Sequence, residues 1–306
     1  ENQSDEGTAS TGWETFLDAV IRAGFGVNGT WPIRTERGAR SIGIGSNALA
    51  SSIVLVCRKL ADNAATATRR EFLTTLKAEL PAALAHLQAG NIAPVDLAQA
   101  AIGPGMAIFT RYAKVIDSAT GRDVTVREAL TAINEVLDQA LAEQEGDFDG
   151  DTRWALSWFE QYGFSDGEYG VAETLAKAKN IAIGALADDG ILESKRGKVR
   201  LFKPAELPAD WDPATDKRLT TWEMVHHLIR LLESGGESAA AVLVAKLGGK
   251  AEVARELAYR LYVIAERKKR AGEALSYNGL VQSWPEIQRL ASEVRIETAP
   301  AQGELI

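Results

Sequence analysis

"GFGVNGTWPIRTERGARSIGIGSNALASSIVLVCRK", residues 24–59, decides how the rest of the chain is read. It opens with a strand at about 25–35, passes through a glycine-rich loop carrying Arg34, Arg37 and Arg40, and ends in a second, very apolar strand. Pro32 has no N–H to give a ladder, which places the first strand at a sheet edge. Ile53-Val-Leu-Val-Cys57 shows no polar alternation, the pattern of a strand covered on both faces. A helix comes before them. Thr11 and Glu14 form a capping box, Trp13, Phe16, Leu17, Val20 and Ile21 fall on one face, and Gly24 supplies a left-handed stop. Helix, edge strand, loop and buried neighbouring strand make the closing end of an α/β sheet, yet no further sheet of that size is evident downstream.

Bulk properties set limits on function. The 306 residues allow two or three domains, and 46% apolar with 25% charged residues is ordinary for a globular chain. A net charge of −8 argues against wholesale coating of nucleic acid while leaving room for a local basic site. Cys57 is the only cysteine, which excludes an intrachain disulfide and a cysteine zinc site and fits a reducing cytoplasm. His86, His226 and His227 are too scattered for a metal centre. No apolar run approaches the roughly 18 residues of a membrane span, and no signal peptide is expected. The opening ENQSDEGTASTG is polar, loop-like and lacks an initiator methionine, so the chain is expected to begin within a loop of something larger.

From about residue 66 the pattern is helical, with helices expected at 68–78, 81–89, 104–116, 125–144 and 151–162. Thr125 and Glu128 make a second capping box, and Trp154, Trp158, Phe159 and Tyr162 an aromatic helix face. Helices at 171–178 and 181–189 follow, joined by a turn at Lys179-Asn180. "ILESKRGKVRLFK" then gives two alternating strands around Arg196-Gly197, a hairpin signature. Helix, turn, helix, hairpin is the order of a winged helix. "PAELPADWDPATDKR" marks a boundary, and the end is helical again at 220–234, 237–247, 251–270 and 284–294, with Pro285 read as a first-turn proline.

Several long blocks resemble one family. "GWETFLDAVIRAGFGVNGTWPIRTE", "ALASSIVLVCRK", "TRREFLTTLKAELP", "APVDLAQAAIGPGMAIFTRYAKV", "LAEQEGDFDGDTRWALSWFEQYGF" and "DWDPATDKRLTTWEMVHHLI" are similar to the large zinc-ribbon-containing, adenine-specific DNA methylases of prokaryotes. The resemblance covers nearly the whole chain, and only the C-terminal part of such a protein. It implies that residues 1–60 supply the last helix and final antiparallel strand pair of a methyltransferase sheet whose other strands lie upstream. It also implies that the loop between the strands lies near the target-base pocket, with Trp31, Pro32, Ile33 and Arg34 as a wall and Arg37 and Arg40 reaching phosphate. The glycine-rich S-adenosylmethionine motif, the Asp-Pro-Pro-Tyr-type motif and the zinc ribbon of that family are not in this sequence. "GIGSN" at 43–47 sits between the last two strands, the wrong place for the cofactor. This chain alone is expected to bind no cofactor and to methylate nothing.

Other signals carry bland readings beside the functional ones. Arg34, Arg37 and Arg40 either contact DNA or keep an exposed edge soluble. In the hairpin, Lys195, Arg196, Lys198 and Arg200 are placed to lie against backbone phosphate, but the preceding helix "NIAIGALADDG" is apolar and acidic where a DNA reader wants cations. A structural or protein-docking module is the other reading. Asp147, Asp149 and Asp151 have calcium-loop spacing without its glycine and glutamate, so a helix N-terminus accounts for them better. His226 and His227 point about 100° apart on a helix and are expected at its flank or surface. The aromatic row is expected in the core, and Cys57 is expected to be inert.

The sequence therefore predicts a mixed, mainly α chain: the end of an α/β Rossmann-like methyltransferase sheet followed by a helical region with a winged-helix-like insert. The divisions are 1–60, 61–165, 166–207, 208–297 and a tail at 298–306. The expected function is the C-terminal portion of an S-adenosylmethionine-dependent, adenine-N6 DNA methyltransferase in the cytoplasm. Its expected partners are DNA, the N-terminal catalytic portion and defence-system proteins. The other reading is a non-catalytic DNA- or protein-docking module.

Overall fold

The computed structural model describes residues 11–34, 51–60 and 63–298. Arg37 and Arg40, and the loop that carries them, lie outside those residues. The described part is mainly helical with small sheets and falls into two units, one up to Glu143 and one from Gln144. None of its helices is long and apolar enough to cross a membrane.

In the first unit, α1 (Thr11–Arg22) turns through Gly24, at φ +84°, into β1 (Phe25–Arg34). β1 pairs antiparallel with β2 (Ser51–Lys59), from Phe25 opposite Lys59 to Arg34 opposite Ser51, with a bulge between Val27 and Gly29. Opposed residues share a face and the bulge resets the alternation. Val27, Thr30 and Pro32 therefore lie with Cys57, Leu55 and Ile53 on one face, and Trp31 and Ile33 with Val54 and Ser52 on the other. Burial follows the register: Val27 is 2% and Thr30 8% exposed, against 66% for Trp31, 47% for Ile33 and 43% for Val54. This corrects the expectation of a strand covered on both faces. Both faces of β2 are apolar, but only one is filled among the described residues, and β1 is its only ladder partner there.

The filled face rests on α3 (Pro94–Phe109), a helix buried along most of its circumference because it is apolar all round. Pro94 opens it, and Pro104 lies in its interior. Proline has no N–H, so the carbonyl of Ala100, four residues earlier, has no donor within the helix. Thr30 Oγ1 of β1 donates to that carbonyl at 2.7 Å. Gly103 makes the approach possible, since a Cβ there would sit 2.2 Å from Thr30 Oγ1 and 2.4 Å from its amide nitrogen. At the end of α3, Thr110 Oγ1 accepts from Val27 N at 2.9 Å and donates to the Met106 carbonyl at 2.8 Å. The helix expected at 104–116 thus starts and ends earlier, because Pro104 is compensated from another element.

Beside α3 lie α2 (Arg69–Ala89) and α4 (Val126–Glu143), with the short parallel pair β3 (Thr66–Thr68) and β4 (Lys114–Ile116). Phe72, Leu76, Leu80, Met106 and Ile133 form the core with Leu17 of α1. Capping boxes start both helices: Thr68 with Glu71, and the expected Thr125 with Glu128. α2 continues through Pro81, where two helices were expected. The carbonyl that Pro81 leaves unpaired belongs to Lys77, an exposed residue whose carbonyl water can reach.

The second unit begins with α5 (Gly150–Tyr162), β5 (Gly167–Glu168), α6 (Tyr169–Ala178), α7 (Ile183–Asp188), β6 (Leu192–Lys195) and β7 (Lys198–Leu201). Its sheet is antiparallel in the order β5-β7-β6. Arg196 and Gly197, at φ +52° and +73°, form the two-residue hairpin turn that the sequence predicts. Then α8 (Thr221–Leu247), kinked at Gly236, packs with α9 (Lys250–Arg267) and α10 (Ala271–Thr298). α10 passes through Pro285, so the helix expected at 284–294 starts a good three turns earlier than the sequence suggested. The free amides at the start of α8 are met by α5: Asp149 Oδ2 accepts from Thr221 N at 2.9 Å, and Thr152 Oγ1 from Trp222 N at 2.9 Å. Trp154 and Trp158 stack at 5.4 Å and are fully buried, which makes them core, as expected.

The Thr30–Ala100 bond yields a direct prediction. Thr30→Val keeps the shape and strands a buried carbonyl, which costs about 1–3 kcal/mol, whereas Thr30→Ser keeps the donor and loses less. Gly103→Ala gains about 1 kcal/mol of helix propensity, but its Cβ meets backbone that cannot yield, and the variant is expected to be less stable overall. Denaturant unfolding of the three variants checks both statements.

Candidate functional site

Trp31 and Ile33 stand side by side on the bare face of the β1–β2 ribbon, with Val54 opposite Trp31. Pro32 turns to the other face, opposite Ile53, so the expected wall of Trp31, Pro32, Ile33 and Arg34 is split by the alternation of the strand. Arg34 ends β1 opposite Ser51. What remains is an apolar surface, the kind of feature that marks a contact. Cys57 lies on the α3 side, half-buried, and desolvation pushes its thiol pKa up, away from reactivity.

The hairpin divides its four cations into two pairs. Arg200 donates from Nη1 to Glu206 at 2.7 Å and from Nε to Glu193 at 3.0 Å. Those bonds, Glu206 first, hold its guanidinium pKa above the ordinary value, and Arg200 in turn draws the Glu206 carboxyl down. Lys198 pairs with Glu168 of β5, directly across the ladder. Lys195 and Arg196 at the tip have no such partner among the described residues. All four line a shallow cleft of about 280 Å³ with Asp166 and Glu193. The neighbouring α7 buries Ile183 and Leu186, exposes Gly184 and Asp188, and carries no cation.

His226 and His227, expected at the flank of their helix, are buried, at 0% and 2% exposure. His226 Nδ1 lies 2.7 Å from the Trp222 carbonyl, which can only accept, so Nδ1 carries the proton. Nε2 is then free to accept from the Tyr277 hydroxyl at 3.0 Å. His227 stacks on Trp211 at 3.9 Å and 8°. Burial pulls their pKa values to about 4 and about 3, so both are neutral core groups near neutral pH. Glu223, also buried, accepts from Thr220 N and Oγ1 in a capping box, and burial pushes its pKa up to about 7. Asp149 is the N-cap of α5, accepting from Thr152 N at 2.8 Å. No cluster of histidine, cysteine, aspartate or glutamate able to hold a metal ion occurs among the described residues.

The family model described as a domain of unknown function, DUF8807, matches residues 149–305, just over half of the chain, and the chain belongs to that family. The match falls within the second unit and leaves the β1–β2 ribbon outside it. No curated protein and no solved structure matches the chain.

The buried titrating groups set a pH dependence for the second unit. Unfolded histidine takes up protons near pH 6.5, while folded His226 and His227 resist until about 4 and 3, so acidification below 6.5 destabilises the fold. Glu223 works the other way: the folded state keeps a proton that the unfolded chain loses near 4.5, so stability falls as pH rises from there to about 7. Two histidines outweigh one glutamate between about 4.5 and 6.5, so the net effect of these three groups is that stability rises with pH up to about neutrality. Glu223→Gln is expected to raise the denaturant midpoint at pH 8 and leave it nearly unchanged at pH 4.5.

Proposed function

We propose that the chain is the C-terminal portion of an adenine-N6-specific, S-adenosylmethionine-dependent DNA methyltransferase. The observation that carries the reading is the β1–β2 ribbon. It follows directly on an amphipathic helix, holds to α3 by one face, and offers Trp31, Ile33 and Val54 on the other. A ribbon with one bare apolar face and unpaired edges among the described residues fits as the end of a longer sheet whose remaining strands lie upstream. Trp31 and Ile33, with Arg34 at the end of β1 and Arg37 and Arg40 further along the sequence, would then border the site where a flipped adenine is received.

The residues of this chain do not fit the cofactor. It has no glycine-rich motif following a first strand of the sheet and no Asp-Pro-Pro-Tyr-type motif, so no step of methyl transfer is assigned to it. Its role is to shape and position. Residues 166–207 fit a winged-helix-like element on their element order and on the sheet order β5-β7-β6. That element is the accessory DNA contact, and the reading as a protein-docking module draws its support from the cation-free α7.

The test is methyl transfer by the native, full-length polypeptide from labelled S-adenosylmethionine to unmethylated DNA, with the modified nucleoside identified after digestion. N6-methyladenine is expected. Trp31→Ala/Ile33→Ala should lower its formation at least about tenfold, since roughly 1.4 kcal/mol of lost positioning suffices, without lowering thermal stability, because both side chains are exposed. A native protein that forms no N6-methyladenine contradicts the proposal.

A further inference from the structure

Resting on the DNA reading above, we propose that the hairpin tip is a sequence-independent contact for nucleic-acid phosphate. Lys195 and Arg196 make that contact, Lys198 and Arg200 serve as its scaffold, and α7 does not read bases.

The register supplies the first argument. Lys195 stands directly opposite Lys198 on the ladder, and like charges so placed oppose strand pairing. One of the two is offset: Glu168 stands across from Lys198 on the other side of β7 and pairs with it. Nothing among the described residues does the same for Lys195. One position further from the sheet, Arg196 adopts φ +52°, a left-handed conformation in which an arginine is unusual and Asn or Gly is the ordinary choice. Among the described residues neither cation has a hydrogen-bond or ion-pair partner at these places. An anion seated at the tip relieves the repulsion between the lysines and gives Arg196 a partner.

The second argument is the cleft. Lys195, Arg196, Lys198 and Arg200 line one hollow, but Glu193 and Glu206 already occupy Arg200 and Glu168 occupies Lys198. Asp166 also lines the hollow but forms no ion pair with either tip residue, so the cations left without a direct partner are Lys195 and Arg196. Beside the tip, the Tyr169 amide donates to the Gly197 carbonyl at 3.0 Å, and the Tyr169 side chain is 39% exposed. A phosphate on the cations with an aromatic ring alongside is the chemistry of a nucleic-acid backbone, whose sugar lies next to the phosphate and packs against the ring. On α7 the exposed residues are Gly184 and Asp188 rather than cations or amides, and Asp189 after it is paired with Arg218, so the helix offers phosphate no donor side chain where a reading helix would need one.

Fluorescence anisotropy of the 306-residue chain on a labelled mixed-sequence duplex, titrated between about 50 and 200 mM salt, tests this. Lys195→Gln/Arg196→Gln should weaken binding at low salt at least about tenfold and reduce the slope of log K against log salt by about 2, near one per lost phosphate contact. Lys198→Gln and Arg200→Gln should leave the slope unchanged, with Arg200→Gln lowering the melting temperature instead. Tyr169→Ala should weaken binding at constant slope. Gly184→Glu, at an exposed position with open space around its Cβ, should lower affinity by less than about twofold, whereas a base-reading α7 would lose binding outright. Duplex binding that ignores the tip pair sinks this assignment and leaves the methyltransferase reading standing. No duplex binding at low salt, or tip-dependent binding to anionic phospholipid vesicles in its place, overturns the nucleic-acid contact, and the methyl-transfer assay decides the other proposal separately.

Discussion

Thr30 donates a hydrogen bond to Ala100 because Pro104 cannot, and the first unit depends on that exchange. A proline in a buried helix leaves a carbonyl unpaired in a place water does not reach, at a cost comparable to a lost hydrogen bond. The chain meets that cost with a hydroxyl from a strand 70 residues away and clears its path with Gly103. The bulge at Val27–Gly29 matters for the same reason: it turns Thr30 to the same face as Val27, whose amide is taken by Thr110. With the inner face fixed at two points, the outer face has no freedom left. Trp31 and Ile33 must point away from α3, and their exposure is a consequence of the anchorage.

In the second unit the comparable constraint is polar. Asp149 and Thr152 serve the first turns of α5 and α8 together, so two helix starts share one set of acceptors. Behind them burial keeps His226 neutral, while the Trp222 carbonyl, accepting from Nδ1, and the Tyr277 hydroxyl, donating to Nε2, fix its tautomer and orientation. Such groups fix which helices meet at the cost of pH sensitivity. The hairpin lies outside this network and is treated differently: its scaffold charges are paired and its tip charges are not.

Much of this was legible in the sequence. Arg196-Gly197 gave the hairpin turn, Thr125 and Glu128 a helix start, and the strand pair its order. What was not legible depended on distant partners. Pro104 read as a helix opener because its compensating donor is on β1. His226 read as surface because Tyr277, 51 residues on, closes over it. Four hairpin cations looked alike until Glu168, Glu193 and Glu206 were seen to hold two of them. The splitting of Pro32 from Trp31 and Ile33 follows from simple strand alternation, and the resemblance to a target-base wall obscured it. Continuous apolarity in β2 reported two apolar faces correctly, but composition cannot say which face this chain fills by itself.

Amide hydrogen exchange across β1 and β2 bears most directly on the central proposal, that the ribbon is the end of a larger sheet. The comparison is between the 306-residue chain and the longer polypeptide that the proposal implies. The account predicts that the ribbon amides bonded neither between β1 and β2 nor, like that of Val27, to Thr110 exchange freely in the short chain and become strongly protected in the long one. Strong protection of residues 53–57 and of both ribbon edges in a monomer of the short chain, or identical exchange in the two proteins, would contradict it.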